Sequence, residues 1–203
     1  DSNSGQAQFV GNLSDCMALP GRHNHQNAAA AYAACRALGL DPQTIMDGIR
    51  TFPGLAHRLE MVGEIDGVKF VNDSKATNAE AAEQALKAYK KAYWIAGGVS
   101  KAEGIQPLAP LFPNITKAYL IGDSEETFAA TLKGKVALQT CGTLENAVQA
   151  AFRDAKVVGD ENPVILLSPA CASFDQFRDF EHRGDVFRSI VQSMMPQELK
   201  ELA

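Results

Sequence analysis

The stretch LEMVGEIDGVKFVNDSKATN, residues 59–78, decides the fold. Its first part holds two alternating apolar runs, Leu59–Ile65 and Val68–Val71, on either side of Asp66-Gly67. An Asp-Gly pair between alternating runs is a strong two-residue hairpin signal. Its second part, Asn72 to Asn78, is polar and leads into a helical pattern over 79–89, a strand over 92–96 and a Gly97-Gly98 turn. The alternation continues downstream. Strands are predicted over 118–121, 136–138 and 164–167, with helices over 125–132, 144–155 and 187–195. Short apolar strands separated by helices imply parallel pairing with helices on both faces. The expected fold from about residue 55 onward is therefore α/β: a doubly wound, mostly parallel, Rossmann-like sheet with an antiparallel hairpin at its start.

Upstream of Gly54 the pattern is helical only. Residues 1–22 are polar and irregular around Phe9-Val10 and end in Pro20-Gly21. A helix is predicted from His23 to Leu40, Ala-rich over 28–37, with Gly39 as its stop signal. Asp41 and Pro42 suit the N-cap and first position of a second helix, running to about Phe52 before the Pro53-Gly54 break. The Ala-rich helix is nearly apolar all round and so calls for burial on more than one side. Two helices in 54 residues cannot supply that, which places a boundary between residues 1–54 and 55–203.

Composition narrows the function classes. The 203 residues are 46% hydrophobic and 21% charged, an ordinary globular balance that argues against disorder. Apolar stretches break within about ten residues, short of the roughly 20 that a membrane helix needs. A net charge of -5 speaks against a nucleic acid or acidic membrane held by bulk electrostatics. Cys16, Cys35, Cys141 and Cys171 are scattered with no CxxC pair, and read as reduced cytosolic thiols rather than a zinc site or disulfide framework. Nothing at the start resembles a signal peptide. The chain opens on Asp1-Ser2-Asn3 rather than Met, so a processed or excised piece is expected.

In an open parallel sheet, ligands bind beyond the carboxyl ends of the strands. The segments there are Asn72–Asn78, Gly97–Lys101, Gly122–Ser124 and Ser168–Asp175, all rich in hydroxyls, small residues and charges. Asp73, Ser74 and Asn78 could each be no more than a helix N-cap. Lys75 is harder to dismiss, because a lysine ahead of a helix N-terminus is electrostatically misplaced unless an anion shares the site. Lys101 could be a solvated loop charge. Ser173 and Asp175 suit capping of a helix starting near Gln176, and Cys171 reads as a small buried residue rather than a nucleophile. His23 and His25, two residues apart, do not share a helix face and make a poor metal pair. The Arg58 fork, beside His57, could meet a phosphate or an acidic neighbour. Neither GxxxxGK[ST] nor GxGxxG after a strand occurs.

Taken in order, these segments resemble one family, the ATP-dependent Mur ligases of peptidoglycan synthesis. GRHNHQNA (21–28) resembles the G-x-H-N-x-x-N-A motif that closes the family's central ATPase domain. PGLAHRLE (53–60) resembles its P-G-x-x-x-R-x-E hinge, and DSKATN (73–78) resembles the loop of the branch that adds D-glutamate. The resemblance runs from about residue 8 to residue 195. It implies that residues 1–54 are the helical remnant of the central ATPase domain. Residues 55–203 would be the C-terminal domain, which binds D-glutamate and completes part of the nucleotide site. The P-loop and magnesium ligands, which serve ATP and Mg in the complete enzyme, would lie outside this chain, leaving it inactive alone with no tightly bound cofactor.

The implied substrates are D-glutamate, ATP and UDP-N-acetylmuramoyl-L-alanine, joined through an acyl phosphate. By resemblance, Asn24, Asn27 and His57 lie near the adenine, Arg58 meets a phosphate and Asp73 the ribose. Lys75 would sit near the transferring phosphoryl or acyl group. Thr77 and Lys101 would hold the α-carboxylate of D-glutamate, and Ser173 with the backbone of Phe180 its side-chain carboxylate. The alternatives are a folylpolyglutamate synthetase-like ligase, which would not be expected to show DSKATN, and a non-catalytic nucleotide- or amino-acid-binding module. A cytoplasmic location and self-association of the chain through residues 1–54, as a homodimer, are further expectations.

Overall fold

The computed structural model describes residues 11–13, 16, 18–158 and 162–196; the Phe9-Val10 patch lies outside them. The chain divides into two compact units between Gly54 and Leu55.

In the first unit, α1 (Arg22–Ala37) and α2 (Pro42–Arg50) form where expected. Gly39, at φ +88°, ends α1 by letting the Leu40 amide turn back onto the Cys35 carbonyl (3.2 Å). The Asp41 carboxylate accepts from the amides of Gln43 (3.0 Å) and Thr44 (3.1 Å) and caps α2. Ile45 and Met46 of α2 are buried, whereas Ala28 is the one buried residue on α1. The Ala-rich helix keeps most of its apolar surface exposed.

The second unit is a sheet of six described strands flanked by helices. In chain order it runs β1 (Glu60–Ile65), β2 (Val68–Asn72), α3 (Ala79–Ala88), β3 (Ala92–Gly97), β4 (Ile115–Ile121) and α4 (Glu125–Leu132). It continues through β5 (Ala137–Gly142), α5 (Leu144–Val158), β6 (Val164–Leu167) and α6 (Phe180–Met194). The spatial order is β1-β2-β6-β3-β4-β5. β1 is antiparallel to β2, and the other pairings are parallel. The hairpin turns on Asp66 (φ 51°) and Gly67 (φ 79°), the pair of left-handed residues that matches the strand twist. A bulge at Val62 shifts the register between Met61 and Gly63 and bends this edge strand.

The central strands are buried on both faces, which is why they read as apolar runs. Trp94, Ala96, Ala118, Leu120 and Leu166 face a core shared with α3, α4 and the segment 105–112. Tyr93, Ile95, Tyr119, Ile121, Ile165 and Leu167 face the opposite core under α5 and α6. Each large side chain removed from water there contributes about 1.5–3 kcal/mol relative to exposure.

Three features depart from the expectations. Residues 106–114 wind as a 3-10 helix, because Pro107, Pro110 and Pro113 remove the amides an α-helix would use. No helix starts near Gln176; residues 174–176 form a turn, with the Phe177 amide bonded to the Ser173 carbonyl (2.8 Å). The closing helix starts instead at Phe180, two turns before the expected 187, under an Asp179 cap that accepts from the His182 amide (2.7 Å). Its opening turns carry Glu181, His182, Arg183 and Asp185, which hide the apolar period. Among the described residues no helix is long and apolar enough to cross a membrane.

Candidate active site at the carboxyl ends of the strands

The crossover from β2 through α3 to β3 leaves one strand position open, and β6 fills it. The loops that follow β2, β6 and β3 therefore lie side by side at one edge of the sheet. This is the crevice where open α/β sheets bind ligands.

Main-chain bonds tie these loops together. The Asp73 amide donates to the Leu167 carbonyl (2.7 Å) and the Gly97 amide to the Pro169 carbonyl (2.9 Å). Val99 and Ala172 exchange both bonds, at 2.9 and 3.0 Å, which brings the loop of Lys101 against that of Ser173. Gly98 at φ +126° is buried in this junction, and a Cβ there would come within 2.3 Å of the Ala172 carbonyl oxygen. Lys101 is exposed and Ser173 is buried.

The loop after β2 is held from below. Asn72 is fully buried; its Oδ1 accepts from the Ser74 amide (3.2 Å), which fixes the amide orientation. Its Nδ2 then faces His57 Nδ1 (3.1 Å), Glu60 Oε2 (3.1 Å) and the Gly184 carbonyl (3.2 Å). The other ring nitrogen, His57 Nε2, lies 3.8 Å from an Asp185 oxygen. His57 packs against Gly184, where a Cβ would overlap its ring, and edge-on to Phe180.

Asp73 is no helix cap; Asn78 takes that role, accepting from the Ala81 amide (2.8 Å). The Asp73 carboxylate instead accepts from Ser168 Oγ (2.8 Å) and the Leu59 amide (3.3 Å). Burial pushes this carboxyl up to about 7, against the opposing pull of those bonds and of the Arg58 charge. Arg58 is exposed beside it. Cys171 is fully buried and burial pushes its thiol up to about 11, so it is no thiolate nucleophile at neutral pH.

Sequence reading gave no role to Arg183 or Asn72. Arg183, 1% exposed, donates from Nε to Ser74 Oγ (3.0 Å) and from Nη2 to the carbonyls of Ser74 (2.8 Å) and Cys171 (3.1 Å). Ser74 Oγ in turn donates to the Phe180 carbonyl (2.8 Å). One buried cation thereby joins the β2 loop, the β6 loop and the start of α6. Arg183 lies ahead of the helix expected over 187–195, among charged residues, so no local signal marked it. Lys75, half-buried, lies with Nζ 3.8 Å from the Phe180 ring centroid, and the Thr77 amide donates to the Lys75 carbonyl (2.8 Å).

The fold thus gathers Asp73, Lys75, Thr77, Lys101, Ser173 and Phe180 along one sheet edge, with His57 and Arg58 on the segment leading into β1. Asn24 and Asn27 lie in the first unit, at the start of α1, where Asn24 Nδ2 donates to the Pro20 carbonyl (2.8 Å). No group of three or more His, Cys, Asp or Glu suited to a metal ion occurs among the described residues. The arrangement places the cationic side chains of Arg58, Lys75 and Lys101 at this end of the sheet.

Residues 57–171 match the family model described as Mur ligase, glutamate ligase domain. A protein from Caulobacter vibrioides named UDP-N-acetylmuramoylalanine--D-glutamate ligase is 58% identical over 194 residues, 96% of this chain and 41% of the relative. A protein of the same name from Rhodospirillum rubrum is 54% identical, again over 96% of this chain and 41% of the relative. The chain therefore spans about two-fifths of the length of these relatives. Among solved structures, UDP-N-acetylmuramate-alanine ligase from Thermotoga maritima superposes with a TM-score of 0.55 at 18% identity, over 87% of this chain and 39% of that one; at that identity it shows the fold alone. This chain belongs to the Mur ligase family, and its second unit carries the family's glutamate ligase domain.

Proposed function

We propose that this chain is the carboxyl-terminal part of an ADP-forming ligase that joins D-glutamate to UDP-N-acetylmuramoyl-L-alanine in the cytoplasm. The observation that carries this reading is the 58% identity, across 96% of the chain, with a relative of that name. Residues 1–54 are read as the end of the ATPase domain and 55–203 as the C-terminal domain. In the complete enzyme the L-alanine carboxylate takes the γ-phosphoryl group of ATP. The amine of D-glutamate attacks the acyl phosphate carbonyl, the C–N bond forms, phosphate leaves with the C–O bonding pair, and the amine gives up a proton. Activation turns a poor leaving group into a good one, and the protein supplies position and positive charge.

In this reading Lys101 and Thr77 hold the α-carboxylate of D-glutamate, and Ser173 with the Phe180 amide its side-chain carboxylate. Lys75 stabilises charge developing on the transferring phosphoryl or acyl group. Arg58 contacts phosphate, Asp73 the ribose, and Asn24, Asn27 and His57 the adenine. ATP and Mg belong to the complete enzyme, and this chain alone turns nothing over. The exposed apolar surface of α1 supports self-association of the isolated chain as a homodimer through residues 1–54.

The test is a chimera in which this chain replaces the matching part of the Caulobacter relative. ADP release dependent on D-glutamate is expected. Equal turnover with L-glutamate, or turnover on a folate acceptor, overturns the reading.

A further inference from the structure

The ammonium group of Lys75 lies 3.8 Å from the centroid of the Phe180 ring. Among the described residues no carboxylate is paired with it, although Asp and Glu outnumber Lys and Arg by 24 to 19. We propose that the Phe180 ring is the resting platform of Lys75, which makes Phe180 a positioning residue through its side chain. This inference rests on the proposed function for the identity of the anion that Lys75 serves.

A carboxylate partner would neutralise the lysine and compete with an incoming anion. An aromatic face holds the cation by its quadrupole, more weakly than the charge-assisted hydrogen bond of an ammonium to a carboxylate or phosphate. The lysine is thus kept in place, and an arriving anion can draw it off. The platform itself is fixed. The Phe180 carbonyl accepts from Ser74 Oγ, whose oxygen also accepts from buried Arg183 Nε. His57 packs edge-on against the ring at a centroid distance of 6.1 Å. Ser74 and Lys75 are adjacent in sequence, so the contacts that anchor the ring also anchor the backbone of the lysine it holds.

The test uses the 203-residue chain with isotope-labelled lysine side chains, Lys75→Arg assigning the resonance. A methylene beside an ammonium over a ring is shifted upfield of the other lysines. That shift is expected in the native chain, is lost in Phe180→Leu and is retained in Phe180→Tyr, whose ring restores the platform. An unshifted Lys75 signal in the native chain, or a shift that survives Phe180→Leu, overturns the proposal. Amide spectra of both variants report whether the fold is intact, and the tyrosine variant decides if the leucine variant unfolds. This arm contains no ligand, so it stands or falls independently of the proposed reaction. In the chimera, Phe180→Leu should lower kcat about tenfold more than it raises the KM for ATP, with Phe180→Tyr restoring kcat. Turnover unchanged by Phe180→Leu would remove the positioning role.

Discussion

Replacing Asp73 by Asn tests the electrostatics of the sheet edge. The carboxyl, ordinarily at 3.8, is raised to about 7 in the fold, first by burial. The folded state therefore holds this proton more tightly than the unfolded state. Between pH 3.8 and about 7 the folded chain binds more protons, so stability falls as pH rises through that window. Above it the full cost of a buried carboxylate is present, and below it none. At about 1.4 kcal/mol per pH unit this cost is on the order of 4 kcal/mol. Asparagine is neutral throughout and can keep both contacts. Its oxygen accepts from the Leu59 amide, and its nitrogen donates to Ser168 Oγ, reversing the bond that Asp73 now accepts. The two proteins should be equally stable at pH 4 to within about 1 kcal/mol, and Asp73→Asn should be the more stable by several kcal/mol at pH 8.

Urea titrations followed by tryptophan fluorescence measure this directly. Trp94 is the single tryptophan, fully buried, and its indole donates to the Ser168 carbonyl (2.8 Å), so it reports on the residue that Asp73 binds. Because every other titrating group is shared, the pH dependence of the difference isolates Asp73. A stability difference that is the same at pH 4 and pH 8 refutes the reasoning, and so does a variant that loses ground as pH rises.

Gly98→Ala should destabilise the second unit by on the order of 3 kcal/mol, read by the same fluorescence titration, because its Cβ meets the Ala172 carbonyl oxygen at 2.3 Å in a backbone conformation with φ +126°. In the chimera, Lys101→Ala should weaken the use of D-glutamate roughly 30- to 150-fold and leave the KM for ATP nearly unchanged, since a charged donor to a carboxylate is removed; equal changes in both would count against its assignment. Light scattering should find the isolated chain dimeric and the chain without residues 1–54 monomeric. A monomeric full chain would show that the exposed face of α1 needs no partner.

Much of the architecture was legible along the chain because its signals are local. Asp66-Gly67 specifies a hairpin turn that only left-handed residues fit. Asp41-Pro42 starts a helix whose first amides need a carboxylate. Strands buried on both faces must be apolar throughout, so β3 and β6 could be read as runs. The misreadings are where local signals compete. Ser173 and Asp175 have good capping side chains, yet the Asp175 carboxylate accepts from the Asp123 amide (3.1 Å) in the loop after β4, and Asp179 caps the helix. Asp73 and Ser74 look like caps for the same reason and serve as cross-loop partners instead.

Most element types, the hairpin, the break near Gly54 and the family follow from the chain alone, since motif residues and turn chemistry are fixed by near neighbours. Only the tertiary structure decided that β6 pairs between β2 and β3, because strand order depends on which distant apolar faces meet. From that insertion follows the rest of the site: Ser168 beside Asp73, Ala172 against Val99, and Arg183 bonded to Ser74 across 109 positions. A buried arginine is tolerable where several loop oxygens converge to replace water, and that convergence has no signature in the residues next to it.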